Sequence, residues 1–206
     1  MKMLIGSHNT MSYLPPRKWW GKLIRFTAKC QSANIEDQIK RYGCRLFDIR
    51  VRYNDCGDLV FAHGIVEFKG DVMTYLWALN HYTEDLKEPV YVRVILESNS
   101  PMKDQEWQEE HFTYFCEHIQ QRFKNLTFFG GRRKYDWAKI YEFYTVEPEL
   151  DDKYSSTTEL FGGKHGSFRA KIDDIWPWLY AKTHNKKNIK KGTDKDCLFI
   201  DFVNIQ

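Results

Sequence analysis

Apolar and polar positions in this chain alternate in strand-length runs, separated by segments of helical period. Val90 to Leu96 is a β-branched apolar run after Pro89, the pattern of a buried strand. Arg45 to Arg52 and Leu59 to Ala62 read as two more strands, joined by the turn signal Asn54-Asp55-Cys56-Gly57-Asp58. Met3 to Gly6, Leu126 to Phe129, Ile140 to Phe143 and Cys197 to Val203 complete the predicted strands. Helices are predicted over Ile35 to Arg41, ended by Gly43, and from the cap Asp71 to about His81. A third runs from Asp104 to Phe123, with Phe112, Phe115, Cys116, Ile119 and Phe123 among its apolar and aromatic positions, and a fourth from Asp173 to Lys182, interrupted by Pro177. The first strand leads into a long loop containing Pro15-Pro16.

Strands alternating with helices predict an α/β fold with a largely parallel sheet. Polar residues gather at strand ends: His8, Arg50, His63, Glu97 and Asp201. In a β/α barrel such ends open into one mouth. The expectation is a single domain over residues 1–206, a TIM-like (β/α) barrel. It would be small and irregular, since a regular barrel takes about 250 residues.

Composition changes this picture little. No apolar run reaches the roughly 18 to 20 residues of a membrane span. The N-terminal apolar run stops at Ser7-His8, so no signal peptide is expected and secretion is not supported. The expected location is the cytoplasm or the periphery of a membrane. Five cysteines without CxxC spacing argue against a disulfide framework or a zinc site and for mostly buried thiols. A net charge of +3 gives no reason to expect nucleic acid, and no protein partner is implied. The cluster Lys186-Lys187-Asn188-Ile189-Lys190-Lys191 reads as a solvated loop.

The candidate chemistry lies at the strand ends. Period two places Leu46, Asp48 and Arg50 on one face of their strand and Phe47 and Ile49 on the other. With the apolar face on helices, Asp48 and Arg50 point inward as a pair, which by itself fits a structural ion pair as well as a site. His8 and His63 add a base and an acid. The four together are the parts that phosphodiester cleavage needs without a redox cofactor: one histidine removes a proton, the other returns one, and an arginine neutralises the phosphate. Glu97 shares a face with Arg93 and Ile95; it could bind a metal, accept a hydroxyl, or pair with Arg50 or Arg93. Asp201 could orient a histidine or cap a neighbouring segment. Trp19 and Trp20, among Arg17, Lys18, Lys22 and Arg25, suit the headgroup boundary of a bilayer, or else cap the core. Trp176-Pro177-Trp178 is a weaker second candidate.

In order and spacing these residues resemble the X-domain of the phosphatidylinositol-specific phospholipase C family, the bacterial type in particular. Gly6-Ser7-His8-Asn9-Thr10 is similar to its first motif, Gly43-Cys44-Arg45-Leu46-Phe47-Asp48-Ile49-Arg50 to its second, and His63-Gly64 to its third. Asp152-Lys153-Tyr154 and Asp201-Phe202 match two shorter ones. The resemblance implies a lyase or hydrolase of lipid phosphodiesters, with a phosphoinositide or another phosphodiester as substrate. His8 would be the general base, oriented by Asp201; His63 the general acid; Arg50, held by Asp48, the phosphate stabiliser. Asp152 and Tyr154 would bind the inositol ring, with Asn9 and Glu97 also in the substrate site. The resemblance also implies that Trp19 and Trp20 touch the membrane.

Calcium is the alternative cofactor. Eukaryotic members use it, and Asn9, Asp48 and Glu97 could supply oxygen ligands. Arg50 stands where those enzymes carry an acidic ligand, so no metal is the preferred expectation. Three departures from the bacterial pattern concern the acid and the head group. Asn9 replaces an aspartate that would charge-couple to His63, Glu97 falls near a lysine position, and Tyr144 stands in place of an arginine. A glycerophosphodiester phosphodiesterase is disfavoured, because no His-Arg-Gly is found and the one Glu-x-Asp, Glu149-Leu150-Asp151, lies far from the start of the chain. A non-catalytic barrel that binds a phospholipid or sugar phosphate is the remaining alternative.

Overall fold

The computed structural model describes residues 4–97, 100–130, 178, 181–182, 185–186, 189, 197–200 and 202–205. Seven strands form one sheet: β1 Leu4–Ser7, β2 Leu46–Tyr53, β3 Leu59–His63, β4 Val66–Glu67, β5 Val90–Leu96, β6 Leu126–Gly130 and β7 Cys197–Ile200. Five of them are parallel, in the order β7-β1-β2-β5-β6. Antiparallel β3 and β4 are added beside β2. The fold is mixed α/β. Among the described residues the sheet is open between β6 and β7, so these residues do not complete the closed barrel expected from the sequence.

β2 is the centre of the arrangement and is buried along its whole length. One edge runs beside β5 in the register Asp48↔Arg93 and Arg50↔Ile95. The other edge is shared. β1 pairs with its first residues, Gly6↔Leu46 and Ser7↔Phe47. β3 descends the same edge from the far end, through Tyr53↔Leu59 and Val51↔Phe61. The C-terminal ends of β1 and β3 therefore approach each other beside Asp48. This topology brings together the segments that carry His8 and His63.

Four α-helices have both ends among the described residues: α1 Gly21–Ala28, α2 Ile35–Lys40, α3 Val72–Thr83 and α4 Gln105–Arg122. Side-chain caps start three of them. Asn34 accepts from the amide of Asp37, Asp71 from Thr74, and Asp104 from Trp107. Gly43 at φ 68 turns the chain after α2 into β2. The core is built from Phe47, Ile49, Val51, Val92, Val94, Leu76, Phe112 and Ile119 with their neighbours. Cys30, Cys44 and Cys116 are buried thiols, and Cys56 is exposed.

The structure departs from the sequence expectation in three places. The loop after β1 contains a 3-10 turn at Thr10–Tyr13 and the helix α1. No side-chain cap or acidic first turn announces α1. It is held instead by packing on the β3–β4 hairpin, where Gly21 lies against Val66 and a side chain at that position would meet Pro16 at 3.0 Å. β7 stops at Ile200 rather than Val203, because the chain turns at Phe202 (φ 49) and the Phe202 amide bonds to the Cys30 carbonyl at 2.6 Å. Lys186 and Ile189 are helical, as are Trp178, Ala181, Lys182 and Asn185, so the expected lysine loop is corrected at those residues. Buried Ala181 and Asn185 and half-buried Ile189 recur every four residues, which gives that segment a core-facing side. Ile140 to Phe143, Tyr144, Asp152, Tyr154, Trp176 and Asp201 lie outside the described residues.

Candidate active site

Parallel register aligns His8, Asp48 and Arg93 in one row. His8 follows the Ser7↔Phe47 pair of β1 and β2, and Asp48 pairs with Arg93 across β2 and β5. The backbone of His8 is held at both ends. Its amide bonds to the Ile200 carbonyl at 3.1 Å. The buried Gln31 amide donates to the carbonyls of His8 (3.0 Å) and Ile200 (2.9 Å), and its oxygen accepts from the Val203 amide at 3.1 Å. Asn9 then takes a left-handed turn at φ 41, which places its own amide 3.1 Å from Asp48 Oδ2.

Asp48 is wholly buried and organises the cations. Its Oδ2 accepts from Arg50 Nε at 2.9 Å, and its Oδ1 from Arg93 Nε at 3.3 Å. Burial alone would raise the pKa of this carboxyl. The charges of Arg50 and Arg93, the neighbouring His8 and the Asn9 amide outweigh burial and hold it well below the usual carboxylate range. Burial works against the charge of Arg50, but Asp48 and Glu97 reverse that effect and fix it as a cation. Glu97 Oε1 lies 3.6 Å from Arg50 Nη1.

Arg50 Nη2 is 2.7 Å from His8 Nε2. A guanidinium has donors only, so His8 presents the Nε2 lone pair to it. The ring is thus poised as a proton acceptor at that atom. The 3.7 Å approach of His8 Nε2 to Asp48 Oδ2 is secondary to this bond, since an ion pair there would need the proton that the Arg50 contact excludes.

His63 faces His8. The two ring centroids are 6.0 Å apart and the planes nearly perpendicular, at 82°. His63 Nδ1 lies 3.0 Å from the Ala28 carbonyl at the end of α1 and 3.7 Å from Cys30 Sγ. The carbonyl can only accept, so Nδ1 carries the proton and Nε2 is left for chemistry. Partial burial, then the charge of Arg50 and the neighbouring His8 ring, push the His63 pKa down to about 4; Glu97 and the Ala28 carbonyl oppose the shift.

The structure therefore brings together His8, Asn9, Asp48, Arg50, His63 and Glu97 from the sequence expectation. Asp152, Tyr154 and Asp201 lie outside the described residues. Trp19 is exposed and Trp20 half-buried. Sequence reasoning placed Arg93 on the face of Glu97 but did not join it to Asp48; the parallel register does. Gln31, the Ala28 carbonyl and Cys30 carried no sequence signal, because their roles depend on where α1 and the following turn come back to the sheet.

No protein-family model matches the chain, and no curated protein sequence matches it. Solved structures do. A mutant of phosphatidylinositol-specific phospholipase C from Staphylococcus aureus is 14% identical, with a TM-score of 0.56, over 98% of this chain and 86% of that one. The corresponding enzyme from Listeria monocytogenes is 14% identical, with a TM-score of 0.55, over 98% and 88%. Another Staphylococcus aureus mutant structure, 20% identical with a TM-score of 0.45, aligns with 62% of this chain, which spans only 46% of its length. At such identities the likeness concerns the fold alone: this chain has a fold similar to that of the bacterial phosphatidylinositol-specific phospholipases C.

Proposed function

We propose that this protein is a phosphodiesterase of the phosphatidylinositol-specific phospholipase C type, which cleaves by internal transfer. The observation that carries the proposal is the pairing of two imidazoles 6.0 Å apart, with a fixed guanidinium on one of them. In the resting site Arg50 Nη2 occupies the His8 lone pair. A phosphodiester anion is a stronger acceptor for a guanidinium than an imidazole nitrogen. When it binds, Arg50 turns to the phosphate and releases Nε2 to take a proton from the inositol 2-hydroxyl. That oxygen attacks phosphorus, and His63 Nε2 gives its proton to the departing glycerol oxygen. The products are a cyclic 1,2-phosphodiester and a diacylglycerol. The nucleophile belongs to the substrate, so positioning supplies much of the rate.

Electrostatics supports the order of events. Arg50 and Arg93 are balanced by Asp48 and Glu97, so the empty site has no excess charge while both rings are neutral. The substrate anion supplies the negative charge that His63 needs in order to hold a second proton. Asn9 Nδ2 is buried and has no acceptor among the described residues, so it would serve a phosphate or sugar oxygen. Asp201 would orient His8, and Asp152 and Tyr154 would hold the head group.

Calcium fits these side chains poorly. Two of the three candidate ligands, Asp48 and Glu97, already hold the guanidinium of Arg50, at 2.9 and 3.6 Å. A dication there would have to displace a buried cation from its counter-ions. Among the described residues no group of three or more His, Cys, Asp or Glu side chains is arranged to hold a metal ion. We therefore assign the charge stabilisation to Arg50.

His63 rests on the end of α1, a helix that carries exposed apolar side chains. Trp19, Leu23 and Phe26, spaced four and three apart, are 75%, 68% and 48% exposed, and Ile65, two residues after His63, is 54% exposed. Lys18, Lys22, Arg25 and Lys29 are interleaved with the α1 residues. This surface suits a peripheral contact with an anionic bilayer. One of the similar Staphylococcus aureus structures (TM-score 0.51) was solved to study modulation of that enzyme's membrane binding. Among the described residues no helix is long and apolar enough to cross a membrane.

The test is turnover of phosphatidylinositol or a fluorogenic inositol phosphodiester with and without chelator, with the cyclic product followed by phosphorus NMR. Activity should survive chelation, and on phosphatidylinositol, whose alkoxide leaving group needs a proton, His8→Ala and His63→Ala should each lose at least about a hundredfold. Activity abolished by chelator and restored by calcium would overturn the role of Arg50. Parent and His8→Ala equally inactive on inositol and other phosphodiesters would leave a binding module.

A further inference from the structure

We infer that Arg52 is a positioning residue for His63. This rests on the assignment of His63 as general acid. Arg52 follows Arg50 by two residues on the same face of β2 and is 4% exposed. Its Nη1 donates to the Gly64 carbonyl at 3.2 Å, and its Nη2 to the Ile65 carbonyl at 3.1 Å. These are the two residues that turn the chain from β3 into β4, directly after His63. Nη2 also meets Glu67 Oε1 at 2.7 Å. Glu67 stands on β4 opposite Ala62, the residue before His63. One guanidinium thus grips the turn on three sides and ties it to the strand that carries Asp48 and Arg50.

Hydrogen bonds within a short hairpin fix its shape but not its tilt against the neighbouring strand. Beyond Val51↔Phe61, β3 leaves the β2 register and pairs with β4. The turn then needs another tether at the place where the imidazole is borne, and Arg52 supplies it. Ala28 holds the ring at Nδ1, and Arg52 holds the backbone beneath it. A planar fork can reach both carbonyls at once, whereas a lysine ammonium cannot reproduce that geometry. The network also reaches the surface: Lys18 Nζ lies 3.6 Å from Glu67 and 3.3 Å from Asp55.

The role predicts a dependence on the leaving group. An alkoxide leaves only with a proton from His63, while a nitrophenolate leaves without one. The variants are Arg52→Lys, which keeps the charge opposite Glu67, and Arg52→Met/Glu67→Leu, which removes both buried charges together and so protects the fold. Each is assayed on two inositol phosphodiesters, one with an alkyl and one with a nitrophenyl leaving group, with His63→Ala as reference. On the alkyl diester both variants should lose at least about tenfold in kcat with little change in KM, because a misplaced acid loses much of its effect. On the nitrophenyl diester the loss should stay below about threefold, since no proton transfer is needed there. Equal losses on both substrates, or no loss in folded Arg52→Lys, would overturn the inference while His63→Ala still shows the split. A His63→Ala variant that shows no split removes the acid assignment and the role of Arg52 with it.

Discussion

Replacing His63 with asparagine should make stability less dependent on pH. An asparagine amide can keep a donor near the Ala28 carbonyl, which now lies 3.0 Å from His63 Nδ1, and it cannot titrate. In the parent the His63 pKa falls from its ordinary 6.5 to about 4. The unfolded chain therefore binds a proton at this residue at a higher pH than the folded one does. The neutral ring contributes its full stability above about pH 6.5, and the contribution is lost as pH falls from there towards about 4. Each pKa unit is worth about 1.4 kcal/mol, so the full shift has an upper bound of about 3.5 kcal/mol. The ring is partly exposed and water screens its neighbours, so we expect a difference of about 1–3 kcal/mol. Urea unfolding followed by tryptophan fluorescence, at pH 4 to 7.5, gives both curves. Carboxylates that titrate in the same range do so in both proteins and cancel in the difference. The parent should lose more stability than His63→Asn on acidification. Parallel curves would refute the claim that burial, the charge of Arg50 and the neighbouring His8 depress this imidazole.

Two further predictions follow from the same geometry. Asp48→Asn leaves Arg50 and Arg93 buried without the carboxylate they share, and should cost about 3–5 kcal/mol in urea unfolding together with most of the activity; a loss below about 1 kcal/mol would show that the cations find other partners. Trp19→Ala/Leu23→Ala should weaken binding to vesicles of anionic phospholipid at least about tenfold in sedimentation, because even partial burial of two such side chains is worth more than 1.4 kcal/mol. Unchanged sedimentation would remove α1 from the lipid contact.

Much of the frame was legible in the chain. Among the described residues, strands with period two or β-branched runs, and the helices expected from Ile35, Asp71 and Asp104, emerged within a few residues of their predicted bounds. These signals are local: a cap or a turn glycine satisfies backbone groups of its own segment. α1 was not legible, because its start has no capping side chain and its stability comes from packing on a hairpin far along the chain. At the site, the pairing of Asp48 with Arg50 followed from period two on one strand. The bond from Arg93 to Asp48 followed from register between strands, and the grip of Arg52 on the Gly64 turn from the way β3 leaves β2. Neither can be read from spacing along the sequence.

The chain alone placed two imidazoles at strand ends and a cation–carboxylate pair on one face of a strand, although β2 runs on to Tyr53 and so holds Asp48 and Arg50 in its interior rather than at its end. It took contacts between distant segments to bring β1 and antiparallel β3 to the same edge of β2, which sets the two rings 6.0 Å apart. Such contacts also decided that His8 presents a lone pair to Arg50 and that His63 rests its other nitrogen on the end of α1. The reason is physical: the side-chain alternation of a strand is a property of one segment, whereas proton positions and pKa values are set by charges and carbonyls that other segments bring into contact.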